Sequence, residues 1–264
     1  MKIKIQFFII AAVYLLFSCE NVTEEIYINK DGSGKYEIYT TQSTSAMQQD
    51  MMDLTKDSTG IPNPLVGGMM MNLMWNEMGE EIDTLMEIPD SNKAHPLKLE
   101  YGDRIKLLLR GGRAKGHLKS GLQVTFDDIS EFSDLWSTLF NSESFKKDMP
   151  PGTDFNIIPT NYEVNKRSFL RKGEFLSNFR EQLIGLAKID NASPEEVEEL
   201  ISMMTKTIGD SKMKTIVHLP RRIKSVEGTN FITPDDKTVI FELSLSEVLR
   251  GNSTADFQIN MKRK

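Results

Sequence analysis

The sequence predicts an α+β fold: a largely antiparallel sheet with amphipathic helices packed on one face, in a single domain. Three observations lead there. Short stretches of period-two alternation recur at both ends of the chain, separated by glycine, asparagine and proline turns. Between them lie several segments whose apolar residues repeat at helical spacing. No internal repeat, low-complexity linker or shift in composition divides the chain.

The chain has 264 residues, 27% charged and 39% hydrophobic, which suffices for a sizeable core. Its net charge is −6, and its basic residues are scattered along the sequence; nucleic-acid affinity is not implied. A single cysteine, Cys19, excludes an intramolecular disulfide framework and any multi-cysteine zinc site.

The first eighteen residues read as a targeting segment. Lys2 and Lys4 make a basic start, and Ile5 to Phe17 is apolar apart from Gln6. That run is too short to cross a bilayer and fits a secretory signal core. Leu16-Phe17-Ser18-Cys19 follows it directly and resembles the lipobox of bacterial lipoproteins. The resemblance implies cleavage before Cys19 and a diacylglyceryl thioether on its sulfur. Such a thiol is committed to lipid and is unavailable as a nucleophile. Residues 19–264 would then form the mature domain behind a short tether, anchored to the cell envelope. The expected place is the outer membrane, with the domain facing the periplasm. Removing residues 1–18 takes away two lysines and leaves 30 basic side chains against 38 acidic, a net −8. A negative body offers no general attraction to anionic lipid, so attachment is expected to be covalent or apolar.

"EEIYINKDGSGKYEIYTTQS" predicts a β-hairpin that turns at Asp31-Gly32-Ser33-Gly34. A calcium loop would need more carboxylates and a distal glutamate at fixed spacing, so a plain turn is the expectation. Residues 43–56 carry a helical pattern and residues 57–68 a loop. "MMMNLMWNEMGEEIDTLM" then places Met70, Leu73, Met74, Met78, Ile82 and Leu85 on one helical face. Methionine is flexible and polarizable and suits surfaces that accept irregular apolar partners. Met70, Leu73, Met74 and Met78 are therefore the candidate ligand- or partner-binding residues, the competing reading being a helix packed on the sheet.

"LKLEYGDRIKLLLRGG", residues 97–112, is compatible with helix or strand. Residues 117–126 predict a strand. Asp128 and Glu131 resemble a capping box for a helix through Phe140, with Ile129, Phe132, Leu135 and Trp136 on its stripe. Residues 155–172 predict a hairpin turning near Asn165-Lys166, and residues 173–188 a helix. Ser193, Pro194 and Glu196 make a complete helix start, with Gly209 as its stop. Strands at 212–220, 221–233, 237–245 and 255–264, with a short helix at 246–251, predict a C-terminal meander.

The strand and "KDGSGKYEIY" at the start, with "IVHLPRRIKSVEGTNFIT" and "KTVIFELSLSEVLRG" near the end, resemble the mycobacterial LppM-type lipoprotein domain. The resemblance implies an α+β sheet with helices and contact with lipids or glycolipids, and it brings no catalytic residues.

Catalytic patterns are missing from the sequence. His95, His117 and His218 stand far apart, and neither a nucleophile elbow nor a phosphate loop is present. Asp127-Asp128 and Asp235-Asp236 are explained by capping and turns. The expectation is a non-enzymatic, lipid-anchored binding domain without a cofactor, taking a lipid, glycolipid or other apolar ligand. The alternative is a structural or assembly factor that binds another envelope protein.

Overall fold

The computed structural model describes residues 21–45, 81–88, 96–143, 160–173, 193–250 and 254–263. Cys19 and the methionine-rich residues Met70, Leu73, Met74 and Met78 lie outside these, as do the helix expected at 173–188 and most of the one at 43–56.

The predicted hairpin is present: β1 (Asn21–Ile28) and β2 (Gly34–Ser43) pair antiparallel. Its turn is a plain one. The Asp31 carboxylate accepts from the Ser33 amide at 3.1 Å and the Ser33 hydroxyl at 2.8 Å, and Gly32 takes φ +98°. At Gly34 even a methyl group would meet the Tyr27 carbonyl oxygen at 1.9 Å, so only glycine lets the strand start there.

β3 (Ile82–Glu87) corrects an expectation. Ile82 and Leu85 fit a helical stripe on spacing, yet they lie in a strand paired along its length with β4 (Ile105–Gly112). Short apolar spacings fit both periods, and here the ladder to β4 decides. The ambiguous stretch before β4 divides in two: helix α1 (Pro96–Tyr101), then a 3-10 turn at Gly102–Arg104. Gly102, at φ +56°, breaks the helix and lets the chain enter β4.

β5 (His117–Phe126) matches its predicted bounds. The single helix expected after it is two pieces. Asp128 caps a 3-10 turn (Ile129–Glu131) through the Ser130 amide, and α2 (Leu135–Asn141) starts afresh. The second start belongs to Asp134, whose carboxylate accepts from the Ser137 amide at 2.7 Å and also from the Thr160 amide. Two capping aspartates six residues apart divide the helix.

β6 (Asn161–Val164) and β7 (Ser168–Lys172) form the expected second hairpin. Helix α3 (Pro194–Ile208) has the full capping box: the Glu196 amide donates to Ser193 Oγ and the Ser193 amide to the Glu196 carboxylate. β8 (Lys212–His218), β9 (Ile223–Glu227), β10 (Phe231–Ile232), β11 (Thr238–Ser244), α4 (Leu245–Leu249) and β12 (Phe257–Met261) complete the described elements.

These last strands do not form a meander. The eight-stranded sheet runs β10-β11-β8-β1-β2-β5-β4-β3, and a second, four-stranded sheet runs β6-β7-β12-β9. β9 thus leaves its neighbours β8 and β11 for the other sheet. Among the described strands, every pairing is antiparallel except that of β1 with β8, which run parallel side by side. The α+β class holds, with two sheets where one was expected.

The core lies between the sheets. Ile26, Tyr36, Val124, Val217 and Val239 on the inner face of the large sheet join Tyr162, Phe169 and Ile259 from the small one. Phe241 stacks on Phe257 across this boundary, with ring centroids 3.7 Å apart. The rest of the inner face is covered by Leu97 and Tyr101 of α1, Leu135 of α2 and Phe132. Phe132, in the break between the two helical pieces, touches the rings of Tyr36, Tyr101, Phe126 and Tyr162. The split helix is what lets this ring reach the centre of the core.

Candidate functional site

Three polar assemblies stand out. The first is buried between the sheets. Along β1, Val22, Glu24, Ile26 and Ile28 share one side, so alternation turns Glu24 inward with the core residues. Along β7, Phe169 and Arg171 do the same from the small sheet. The two charges meet with Arg171 Nη2 2.8 Å from Glu24 Oε2, their side chains 4% and 2% exposed. The Glu24 carboxylate also accepts from Tyr36 Oη at 2.7 Å and Thr215 Oγ1 at 3.0 Å. The Tyr162 hydroxyl and Arg171 Nε lack a partner at full hydrogen-bond geometry, although the two groups lie close enough to interact. Burial lowers the proton affinity of Arg171, but Glu24 outweighs it, so the guanidinium is held firmly charged. Burial also raises the Tyr36 and Tyr162 phenols well above their ordinary range. This assembly is a clasp joining the sheets.

The second assembly lies on the outer face of the large sheet. Neighbouring strands bring Glu25, Tyr27, Tyr39 and His218 together. The Glu25 carboxylate accepts from Tyr27 Oη at 2.5 Å and Tyr39 Oη at 2.9 Å, and lies 2.8 Å from His218 Nε2. Burial alone would raise its pKa, but the bonds from His218, Tyr27 and Tyr39 more than offset this and bring it down to about 2. Burial and the Glu25 charge push both phenols up. Both faces of the Tyr27 neighbourhood are occupied: His218 stacks on its ring at 4.3 Å and Lys35 Nζ lies 4.0 Å from its centroid. Alongside, Glu37, 1% exposed, binds Lys35 at 2.7 Å and Arg110 at 3.3 Å, and Arg110 reaches Asp83 at 2.8 Å. A general base works best with a pKa near the working pH and a free lone pair. Glu25 is held well below that range and already accepts three bonds, so the arrangement holds it ionised.

The third assembly is a gathering of dibasic pairs that the scattered sequence conceals. Three hydrogen bonds stitch Lys166-Arg167, Arg221-Arg222 and Lys262-Arg263 together. The Met261 amide donates to the Arg167 carbonyl at 2.7 Å and the Lys262 amide to the Arg222 carbonyl at 2.8 Å. Arg221 Nη1 donates to the Lys166 carbonyl at 2.9 Å. Five of the six are exposed and Arg221 is partly so.

The predicted sites fare as follows. Cys19 and the four methionine-stretch residues lie outside the described residues. His218 belongs to the outer-face network, and His117 Nδ1 lies 2.9 Å from the Lys115 carbonyl. Asp128 and Asp235 serve a cap and a turn, as expected. Among the described residues, no group of three His, Cys, Asp or Glu is placed to hold a metal ion. Sequence reading missed the clasp, although a charge in the inward phase of an apolar strand, at Glu24 and again at Arg171, was its signal.

The architecture is thus that of an α+β domain whose mixed eight-stranded sheet packs against a smaller antiparallel one. Among solved structures, the chain is similar to the folded domain of the LppM protein of Mycobacterium tuberculosis, determined by NMR. The identity is 12% and the TM-score 0.35, over 92% of this chain and 90% of that one. No family model and no curated protein matches the chain.

Proposed function

We propose that the protein is a membrane-anchored envelope lipoprotein whose domain binds a lipid, glycolipid or other apolar ligand without catalysing a reaction. The observation that carries the reading is β3. Leu85 and Met86 are 39% and 40% exposed there, on a strand that continues the methionine-rich stretch in sequence. Apolar side chains presented at a sheet edge, next to Met70, Leu73, Met74 and Met78 in the chain, suit an apolar ligand. The three hydrogen bonds that already hold the Glu25 carboxylate support a binding role over proton transfer. Anchoring rests on Leu16-Phe17-Ser18-Cys19 behind a basic, apolar leader. An outer-membrane location facing the periplasm is part of the proposal.

Gentle detergent extraction of the full chain followed by native mass spectrometry should find bound lipid. An empty protein under those conditions would overturn the ligand assignment. Replacing Cys19→Ser should abolish incorporation of labelled palmitate, and persistent labelling would refute acylation at that sulfur.

One observation favours a partner protein instead. Among the described residues, β3 lies at the end of the large sheet and pairs with β4 alone, an edge of the kind that takes up an added strand. A photo-crosslinker at Thr84 should then trap one stoichiometric partner, and a lone monomer in every such experiment would dismiss this reading.

A further inference from the structure

The dibasic pairs carry an inference that is independent of the apolar-ligand reading. The whole chain is acidic, yet the fold brings six basic side chains from three distant segments to one end of the small sheet. Like charges repel, so such a gathering opposes folding unless something offsets it. The carboxylates on the adjoining loop, Asp235 and Asp236, only partly do so. Asp236 pairs with Arg222 at 2.8 Å and Asp235 binds its own turn at the Lys237 amide. Lys166, Arg167, Lys262 and Arg263 have no carboxylate partner among the described residues.

We propose that this basic end is a docking surface for the anionic phosphate headgroups of a lipid bilayer. Two features favour a bilayer over a small phosphate or a flexible polyanion. The cations sit on three separate exposed turns and tail segments, spread as a surface. The loop bearing Asp235, Asp236 and Lys237 also leads straight from β10, where Phe231 and Ile232 are 39% and 61% exposed. Cations beside exposed apolar side chains are what an interfacial contact uses: charge for the headgroups, apolar groups for the acyl boundary.

The test is flotation of the purified full chain carrying Cys19→Ser, so that acylation does not contribute, with every variant made in that background so that the apolar leader contributes equally. Vesicles of phosphatidylcholine are compared with vesicles containing about one third phosphatidylglycerol. Binding should depend on the anionic lipid and fall away at high salt. A variant with Lys166→Gln, Arg167→Gln, Lys262→Gln and Arg263→Gln, whose side chains hold no described ion pair, should lose the anionic component by ~50-fold or more. A control variant, Arg104→Gln with Lys206→Gln, should bind as the parent does. Equal binding to both vesicle types would overturn the proposal, as would full anionic binding by the four-site variant. Capture on heparin without any preference for anionic vesicles would also overturn it, assigning the surface to a polymer. Native mass spectrometry of bound lipid is a separate readout, so either proposal survives the failure of the other.

Discussion

Removing one half of the Glu24–Arg171 clasp should be far more damaging than removing both. The two side chains are 2% and 4% exposed and lie 2.8 Å apart, with Tyr36 and Thr215 completing the carboxylate's shell. Stranding one member of a buried pair typically costs ~3–5 kcal/mol, whereas replacing both by apolar groups is often near neutral. Glu24→Gln keeps the side chain's shape but strands a guanidinium that cannot release its proton. Its expected cost is thus ~3–5 kcal/mol. Arg171→Met strands a carboxylate, which has the escape of taking up a proton as the pH falls; its cost should shrink in acid. The double variant should cost less than either single variant, and so fall below the two single costs combined by ~3 kcal/mol or more. Urea unfolding followed by circular dichroism, with the four proteins compared at equal slope, reads these values. Additivity to within ~0.5 kcal/mol would refute the clasp as a coupled unit.

The remaining predictions concern the outer face, the strands and a cap. Because Glu25 is lowered from 4.5 to about 2 in the folded protein, its contribution is present above the unfolded value of 4.5. It is lost as the pH falls through that window, by ~1–2 kcal/mol after allowing for partial exposure. Glu25→Gln should flatten the dependence of unfolding free energy on pH between 4.5 and 2, and an unchanged slope would contradict the network. Gly121→Ala would place a methyl 2.0 Å from the Ile38 carbonyl oxygen and 2.6 Å from Tyr39 Cα, both backbone atoms. It should lower stability by ~2–3 kcal/mol in thermal unfolding, and wild-type stability would show that β2 and β5 are farther apart than described. Ser193→Ala should lose ~1 kcal/mol from α3, seen as faster amide exchange in its first turn; unaltered exchange would count against the cap.

What was legible in the sequence is what neighbouring residues decide. The Asp31–Gly34 turn and the Ser193–Glu196 box are short-range chemistry, and both are found as predicted. The breaks at Gly102 and Asp134 were less legible, because a helical stripe continues through each. Phe132 keeps helical spacing with Ile129 and Leu135 while lying in no helix. Strand order was not legible at all. Nothing local to Ile223–Glu227 says that this strand leaves β8 for β12, a choice made by the facing surfaces of the two sheets. The dibasic pairs escaped for the same reason. Lys166-Arg167 and Arg221-Arg222 are common dipeptides and Lys262-Arg263-Lys264, the longest basic cluster of the sequence, is short; only the crossing of three chain segments makes them a patch.

The side-by-side pairing of β1 and β8 also sets an order of events. Glu24 and Thr215, which share a hydrogen bond, are 191 residues apart in the chain. A polypeptide made amino end first completes the β1–β2 hairpin early, with one flank of β1 open and Glu24 uncovered. Neither Arg171 nor the β8 ladder is there to close it until most of the chain has followed. Distant pairings of this kind are slow to form, and open strand edges invite wrong partners while they wait. The domain therefore depends on near-complete synthesis before it can settle, and the hairpin's unfinished edge is the part in greatest need of shelter until then.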